Sequence, residues 1–189
     1  MKRKFRTPHV SLQAGFRTLS TVVFFAVQVM GFAPAVHAVS EETPPKSCGA
    51  QLLDGITCSG RYCDNIGLKC GPRVYNVYNW QWTRHVSEES GGRMNCNVRN
   101  PFDQVDAPAG EPAFITGISC NGTYCDNVSL ECVALRGHFP SYSGCDWTES
   151  VSEERGTLNF PAGRYAVAMK CRGSYCDNKS FLLCDIRPR

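Results

Sequence analysis

The stretch CRGSYCDN at Cys171–Asn178 is spelled three times in this chain with small changes, as CSGRYCDN at Cys58–Asn65 and CNGTYCDN at Cys120–Asn127. A second phrase, VSEE, travels with it at Val39–Glu42, Val86–Glu89 and Val151–Glu154. The valine stands 19, 34 and 20 residues ahead of the first cysteine of the three successive copies. Self-similarity at a recurring interval is the mark of a repeated structural unit. The longer second interval places an insertion in NVRNPFDQVDAPAGEP, residues 97–112, which is rich in loop formers. Thr83 and Thr148, each behind a tryptophan (Trp82, Trp147), stand three residues ahead of the second and third valines. The units are therefore residues 39–85, 86–150 and 151–189.

Within each unit the apolar residues alternate. PAFITGISC places Phe114, Thr116, Ile118 and Cys120 on one face; YAVAMKC places Tyr165, Val167, Met169 and Cys171 together; NVSLEC aligns Val128, Leu130 and Cys132. Alternation of period two predicts half-buried strands. No long window beyond the N-terminal segment keeps a helical period. Each unit reads as a strand around Cys96 or Phe160, a strand into the phrase, a strand out of it and a strand around WTxxV. The expected fold is one all-β domain of three internal repeats with pseudo-threefold symmetry, a β-prism first and a β-trefoil second.

Residues 1–38 read as a secretory signal peptide. A basic opening leads into the apolar stretch Leu19–Phe32 and then to APAVHA, with small residues where cleavage needs them, after Ala38. The stretch falls short of the roughly 20 apolar residues of a membrane span and contains Gln28. No membrane span is expected once the signal is removed, and the first VSEE begins at the expected cut. The segment also holds Lys2, Arg3, Lys4, Arg6 and Arg17, so taking five from the formal charge of +3 leaves −2 for residues 39–189. A chain of that sign is not built to neutralise phosphates, and nucleic acid is excluded as the expected partner. A periplasmic or secreted protein is predicted. The sequons at Asn121, Asn127 and Asn178 would carry glycan only in a eukaryotic host.

All twelve cysteines lie beyond the signal, an even number in an exported chain, so disulfides are expected. One scheme joins the two cysteines inside each phrase, Cys58 to Cys63, Cys120 to Cys125 and Cys171 to Cys176. It leaves Cys48 to Cys70, Cys96 to Cys132 and Cys145 to Cys184. The rival scheme joins the flanking strands, Cys58 to Cys70 and its equivalents, and spacing alone does not separate the two. In the loop-closure picture each short ring contributes roughly 2 kcal/mol and each long one nearly 4.

The run WTESVSEERGTLNFPAGRYAVAMKCRGSYCDNKSFLLC, residues 147–184, has a tryptophan strand, then PxG before an aromatic-led strand, then an Asp-Asn turn and a strand closing on cysteine. In layout this resembles the vitelline membrane outer layer protein family. The resemblance covers all three units and implies a β-prism and a carbohydrate or cell-envelope ligand. The longer glycine-bounded, Asp-rich loop of that family is replaced here by the short turn between cysteines.

The repeated phrase is read first as scaffolding. Gly60, Gly122 and Gly173 allow a backbone angle that a β-carbon resists, and the Asp-Asn pair can bond its own main chain to end the turn. The chemical reading is that Tyr62, Asp64 and Asn65, with Tyr124, Asp126 and Asn127 and with Tyr175, Asp177 and Asn178, present three tips to sugar rings. Each tip would stack an aromatic face and bond through a carboxylate and an amide, giving multivalent binding. A second candidate surface is the aromatic run GPRVYNVYNWQW, in which Tyr75, Tyr78 and Trp80 occur in one unit only. Trp82 and Trp147 recur with the unit and are expected to pack between strands.

Zinc wants reduced thiolates at ligand spacing, and calcium wants six to eight oxygens where each tip offers one Asp-Asn pair; neither metal nor any cofactor is expected. Glu88-Glu89 and Glu153-Glu154 are adjacent, and adjacent residues on a strand face opposite ways, so neither pair makes a glycosidase couple. They are expected at solvated strand ends. His85 and His138 lie near no nucleophile motif. The expected function is non-catalytic glycan or cell-surface binding, with a protein-binding module such as a toxin subunit or enzyme inhibitor as the alternative.

Overall fold

Each of the three phrases folds as the tip of a β-hairpin in the computed structural model, which describes residues 37–40, 45–87, 92–98 and 111–188. Most of the expected signal, Glu41 and Glu42 of the first VSEE, the Glu88-Glu89 pair and the middle of the insertion lie outside the described residues. In chain order the strands are β1 (His37–Val39), β2 (Lys46–Ser47), β3 (Gln51–Ser59), β4 (Asn65–Arg73), β5 (Val77–Trp82), β6 (Arg93–Asn95) and β7 (Asn97–Val98). They continue as β8 (Glu111–Pro112), β9 (Phe114–Asn121), β10 (Asn127–Leu135), β11 (His138–Trp147), β12 (Thr157–Asn159), β13 (Arg164–Arg172) and β14 (Asn178–Pro188). The only helical pieces among the described residues are single 3-10 turns at the hairpin tips. The molecule is all-β, and its sheets are open.

The hairpins β3-β4, β9-β10 and β13-β14 are flanked in the same way. On the outgoing side β1 pairs with β4, β5 with β10 and β11 with β14, all antiparallel. The valine of each VSEE meets the residue just after the Asp-Asn pair: Val39 faces Ile66, Val86 faces Val128 and Val151 faces Lys179. Beside these bridges, Thr83 and Thr148 each donate a main-chain N–H to the outgoing strand, at Leu130 and Phe181. The same strand returns its own N–H to the threonine hydroxyl. That exchange is the physical content of the repeated WTxxV.

On the incoming side each hairpin borrows a strand from another unit. β2 of the first unit pairs with β9 of the second, β6 of the second with β13 of the third, and β12 of the third with β3 of the first. The second and third sets join through a single register pair, Leu135 with His138. The insertion is bracketed by the two-stranded β7-β8 ladder. β1 straddles the expected cleavage point after Ala38.

The ladder of each incoming strand with its outgoing partner is interrupted, twice in the first hairpin, where a further shift lies between Gln51 and Leu53, and once in each of the others. A register shift falls between Leu53 and Gly55 in β3, opposite the Glu131/Cys132 step in β9, and between Ala166 and Ala168 in β13. A bulge inserts one residue and reverses the facing of everything beyond it. Ile56, Ile118 and Met169 therefore share the main core with Leu53, Ile115 and Ala166. Leu52, Phe114 and Val167 pack in a second cluster with Val133, Leu135 and Cys184. The expected single faces through Phe114–Cys120 and Tyr165–Cys171 are thus divided, whereas Val128, Leu130 and Cys132 stay together. β9 is buried along both faces up to Cys120, because sheet and neighbouring units cover it on either side.

Six disulfides follow the first of the two schemes. Cys58–Cys63, Cys120–Cys125 and Cys171–Cys176 close the tips at Cα separations of 4.8, 4.9 and 4.9 Å. Cys48–Cys70, Cys96–Cys132 and Cys145–Cys184 tie the outgoing strands to preceding segments at 5.5, 5.4 and 4.3 Å. No described cysteine is free.

Candidate functional site

The three tips share one backbone path. Gly60, Gly122 and Gly173 open it at φ of 74°, 76° and 78°, and the tyrosine and second cysteine that follow are also left-handed, with φ between 56° and 61°. A side chain resists such angles, so the ring closed by the disulfide must hold them. The aspartate N–H then closes the turn on the carbonyl three residues back, at Arg61, Thr123 and Ser174.

The acid and amide of each tip face inward. Asn65 Nδ2 donates to Asp64 Oδ1 at 2.8 Å, Asn127 to Asp126 at 2.6 Å, and Asn178 to Asp177 Oδ2 at 3.1 Å. Both groups lie over the glycine: a β-carbon on Gly60 would come within 1.9 Å of Asp64 Oδ1, and one on Gly122 within 2.0 Å of Asp126 Oδ1. The glycine is required twice over, by its angle and by the side chains resting where its β-carbon would be. These contacts favour the scaffolding reading of the acid-amide pairs.

The tyrosines meet one another. Ring centres of Tyr62, Tyr124 and Tyr175 are 5.0 to 5.2 Å apart, tilted or edge-on, which is the favoured geometry for aromatic pairs. The expected three separate tips are one apex, because the cyclic pairing of the units brings the hairpins to a common end. Arg61, present only in the first unit, lies over the rings of Tyr62 and Tyr124 at 5.1 and 5.4 Å. Tyr175 is the most open of the three, at 37 % exposure.

The third tip differs below the apex. Lys179 is fully buried where the other units have Ile66 and Val128, and its Nζ donates to the Cys176 carbonyl at 2.7 Å. Burial pushes the Asp177 carboxyl above its usual range; Glu153 adds to the rise, Lys179 opposes it, and Glu154 adds further. Glu153 and Glu154 themselves sit exposed in the turn before β12.

The aromatic run resolves into two kinds of residue. Tyr78 is engaged, its hydroxyl on the Glu111 carboxylate and its ring under Arg136 at 5.2 Å. Tyr75, Trp80 and Trp82 are exposed, at 78 %, 50 % and 42 %. Trp80 lies in the bulge between Tyr78 and Gln81, next to Asn79 at φ 53°, and Trp82 follows two residues on, which puts the two side chains on one side of β5. Among the described residues β5 pairs only with β10 and forms an edge. The expectation that Trp82 packs between strands is corrected, since the edge leaves its outer side uncovered. Trp147 is half-buried beneath two cations, Arg93 and Lys170, which no motif in the chain associates with it.

Comparison with known proteins gives no matching family model, no matching curated protein and no matching solved structure.

Proposed function

We propose that this protein is an exported, non-catalytic carbohydrate-binding module built as a three-unit β-prism. The prism reading is supported by the cyclic pairing of β2, β6 and β12 with the next unit's hairpin and by the common apex of the three tips. The layout likeness to the vitelline membrane outer layer family belongs to this proposal. Export is supported by six disulfides, which persist in oxidising compartments. Among the described residues no helix is long and apolar enough to cross a membrane.

The observation that carries the ligand class is the pair Trp80 and Trp82, exposed side by side on a strand whose inner neighbours are rigid core. Indole faces held open to solvent on a fixed scaffold suit the apolar face of a sugar ring. The apex enters as one secondary contact through Tyr175, in place of three independent ones. A glycan array with the disulfide-intact protein, followed by titration of the best hit, tests this. Trp80→Ala with Trp82→Ala should weaken binding about tenfold or more, or roughly 1.4 kcal/mol, with the melting temperature little changed. An empty array, or a hit indifferent to both tryptophans, overturns it. The second reading, a protein-binding module, is favoured by Tyr75, whose exposure suits the aromatic anchors of protein interfaces. It would show as a protein partner whose capture, not glycan binding, depends on these side chains.

A further inference from the structure

The outer face of the sheet formed by β11, β14, β13 and β6 gathers cations that no described carboxylate neutralises. Register sets Arg93 of β6 directly opposite Lys170 of β13. Arg172 lies two residues beyond Lys170, on the same side of the strand. Like charges opposed across a ladder destabilise a sheet. The carboxylates that pair with cations elsewhere are committed: Asp54 to Lys69, Glu149 to Arg155, and Asp146 and Asp185 to Arg164. Among the described residues no carboxylate pairs with Arg93, Lys170 or Arg172, and Arg93 Nε donates only to the neutral Asn95 Oδ1, at 3.4 Å. Residues 39–189 carry a net negative charge, so this concentration is not a by-product of general basicity.

Trp147 fixes the cluster. Lys170 Nζ is 4.3 Å and Arg93 Cζ 5.4 Å from its ring centre. Cation-aromatic contacts hold two flexible side chains in place before any ligand arrives, which lowers the ordering cost of binding. Arg93, Trp147, Lys170 and Arg172 line a cavity of about 250 Å³. A second cavity of about 250 Å³ begins at Arg93 and adds Asn95, Asn97 and Tyr142. Each falls below the roughly 300–1,000 Å³ of drug-sized sites and suits single rings of a chain laid across both. Tyr142 is 51 % exposed and offers an apolar ring, and the two asparagines offer donors and acceptors.

We propose that this face binds an acidic saccharide. A carboxylate or sulfate on one sugar is held by Arg93, Lys170 and Arg172, and the adjoining ring lies against Tyr142 with its hydroxyls on Asn95 and Asn97. The proposal rests on the carbohydrate reading above but uses a different surface from Trp80 and Trp82. It also accounts for the like-charge opposition of Arg93 and Lys170, a stability cost of the kind binding sites retain.

Calorimetric titration of the disulfide-intact protein with an oligogalacturonate, a heparin oligosaccharide and a neutral cello-oligosaccharide of equal length tests it. Two variants run in parallel, the triple Arg93→Gln, Lys170→Gln, Arg172→Gln and the double Trp80→Ala, Trp82→Ala. The acidic oligosaccharides should bind, weaken between about 50 and about 500 mM salt, and lose at least tenfold in affinity with the triple variant but not the double. Binding of one acidic ligand or both supports the proposal and identifies the acid group. The triple variant should melt close to the parent, since the relieved repulsion offsets the lost contacts with Trp147. Acidic binding unchanged in the triple variant overturns the proposal, as does equal displacement by polyglutamate, which carries charge without sugar. Neutral binding that depends on the tryptophans alone overturns it while leaving the general carbohydrate reading intact, and failure of every oligosaccharide removes both.

Discussion

Lys179 and Asp177 are where one unit departs from its siblings. Ile66 and Val128 fill the corresponding positions with hydrocarbon, and the third unit buries an ammonium there instead. Next to it Asp177 has its Oδ1 buried without a hydrogen-bond partner among the described residues. Burial raises the Asp177 carboxyl above its ordinary value, so the folded state holds that proton more tightly than the unfolded chain does. Ionising the group therefore costs stability. The cost is absent below the unfolded value of about 3.9 and is complete once the pH has passed the higher folded value. Asp177→Asn removes the charge at similar shape. Its stability relative to the parent should rise between pH 3 and pH 7, read from urea denaturation at each pH, and a difference independent of pH would show that the charge is not penalised. Lys179 tempers the effect because its ammonium favours the ionised acid.

The hairpins and their staples are elements whose energetics can be ranked. Cys96–Cys132 closes a separation of 36 residues and Cys120–Cys125 one of 5. In the loop-closure picture, replacing the first pair by alanine should cost nearly 4 kcal/mol and the second roughly 2. Guanidinium midpoints of the two variants check the order, and a reversed order would mean that the tip ring fixes more than chain entropy. The hairpins were legible because their letters recur: the phrase marks the tip, and the triads Cys58, Cys63, Cys70 and their equivalents mark the strands. The bulges were not. Phe114, Ile115 and Ile118 are all apolar, so the change of facing between Phe114 and Ile118 leaves no trace in hydropathy. β2, β6 and β12 are two or three residues long, and nothing in KS, RMN or TLN names the strand each will join. For that reason the meeting of Arg93 with Lys170, and of three tyrosines at one apex, became visible only in three dimensions. Trp80 was legible as a candidate because it breaks the repeat; Trp82 was misread because it keeps it.

At the scale of the molecule, exchange of β2, β6 and β12 makes each unit dependent on another. Residues 145–189 retain two disulfides, yet alone they lack β6, and their β12 has no β3 to join. Such a fragment should give an unfolded circular dichroism spectrum and undispersed amide resonances even when oxidised, whereas the intact chain gives sheet. A fragment that folded by itself would show that the pairing between units is dispensable. The exchange also governs the order of events as the chain is made. Ile56 must wait for Leu158, so the first hairpin emerges roughly a hundred residues before the strand that completes its sheet. Contacts so distant in sequence slow folding, and an unpaired strand edge is open to wrong partners meanwhile. The Cys58–Cys63 ring, which needs only its own turn to form, can lock the register of that first hairpin during the delay and keep it competent for a strand not yet synthesised.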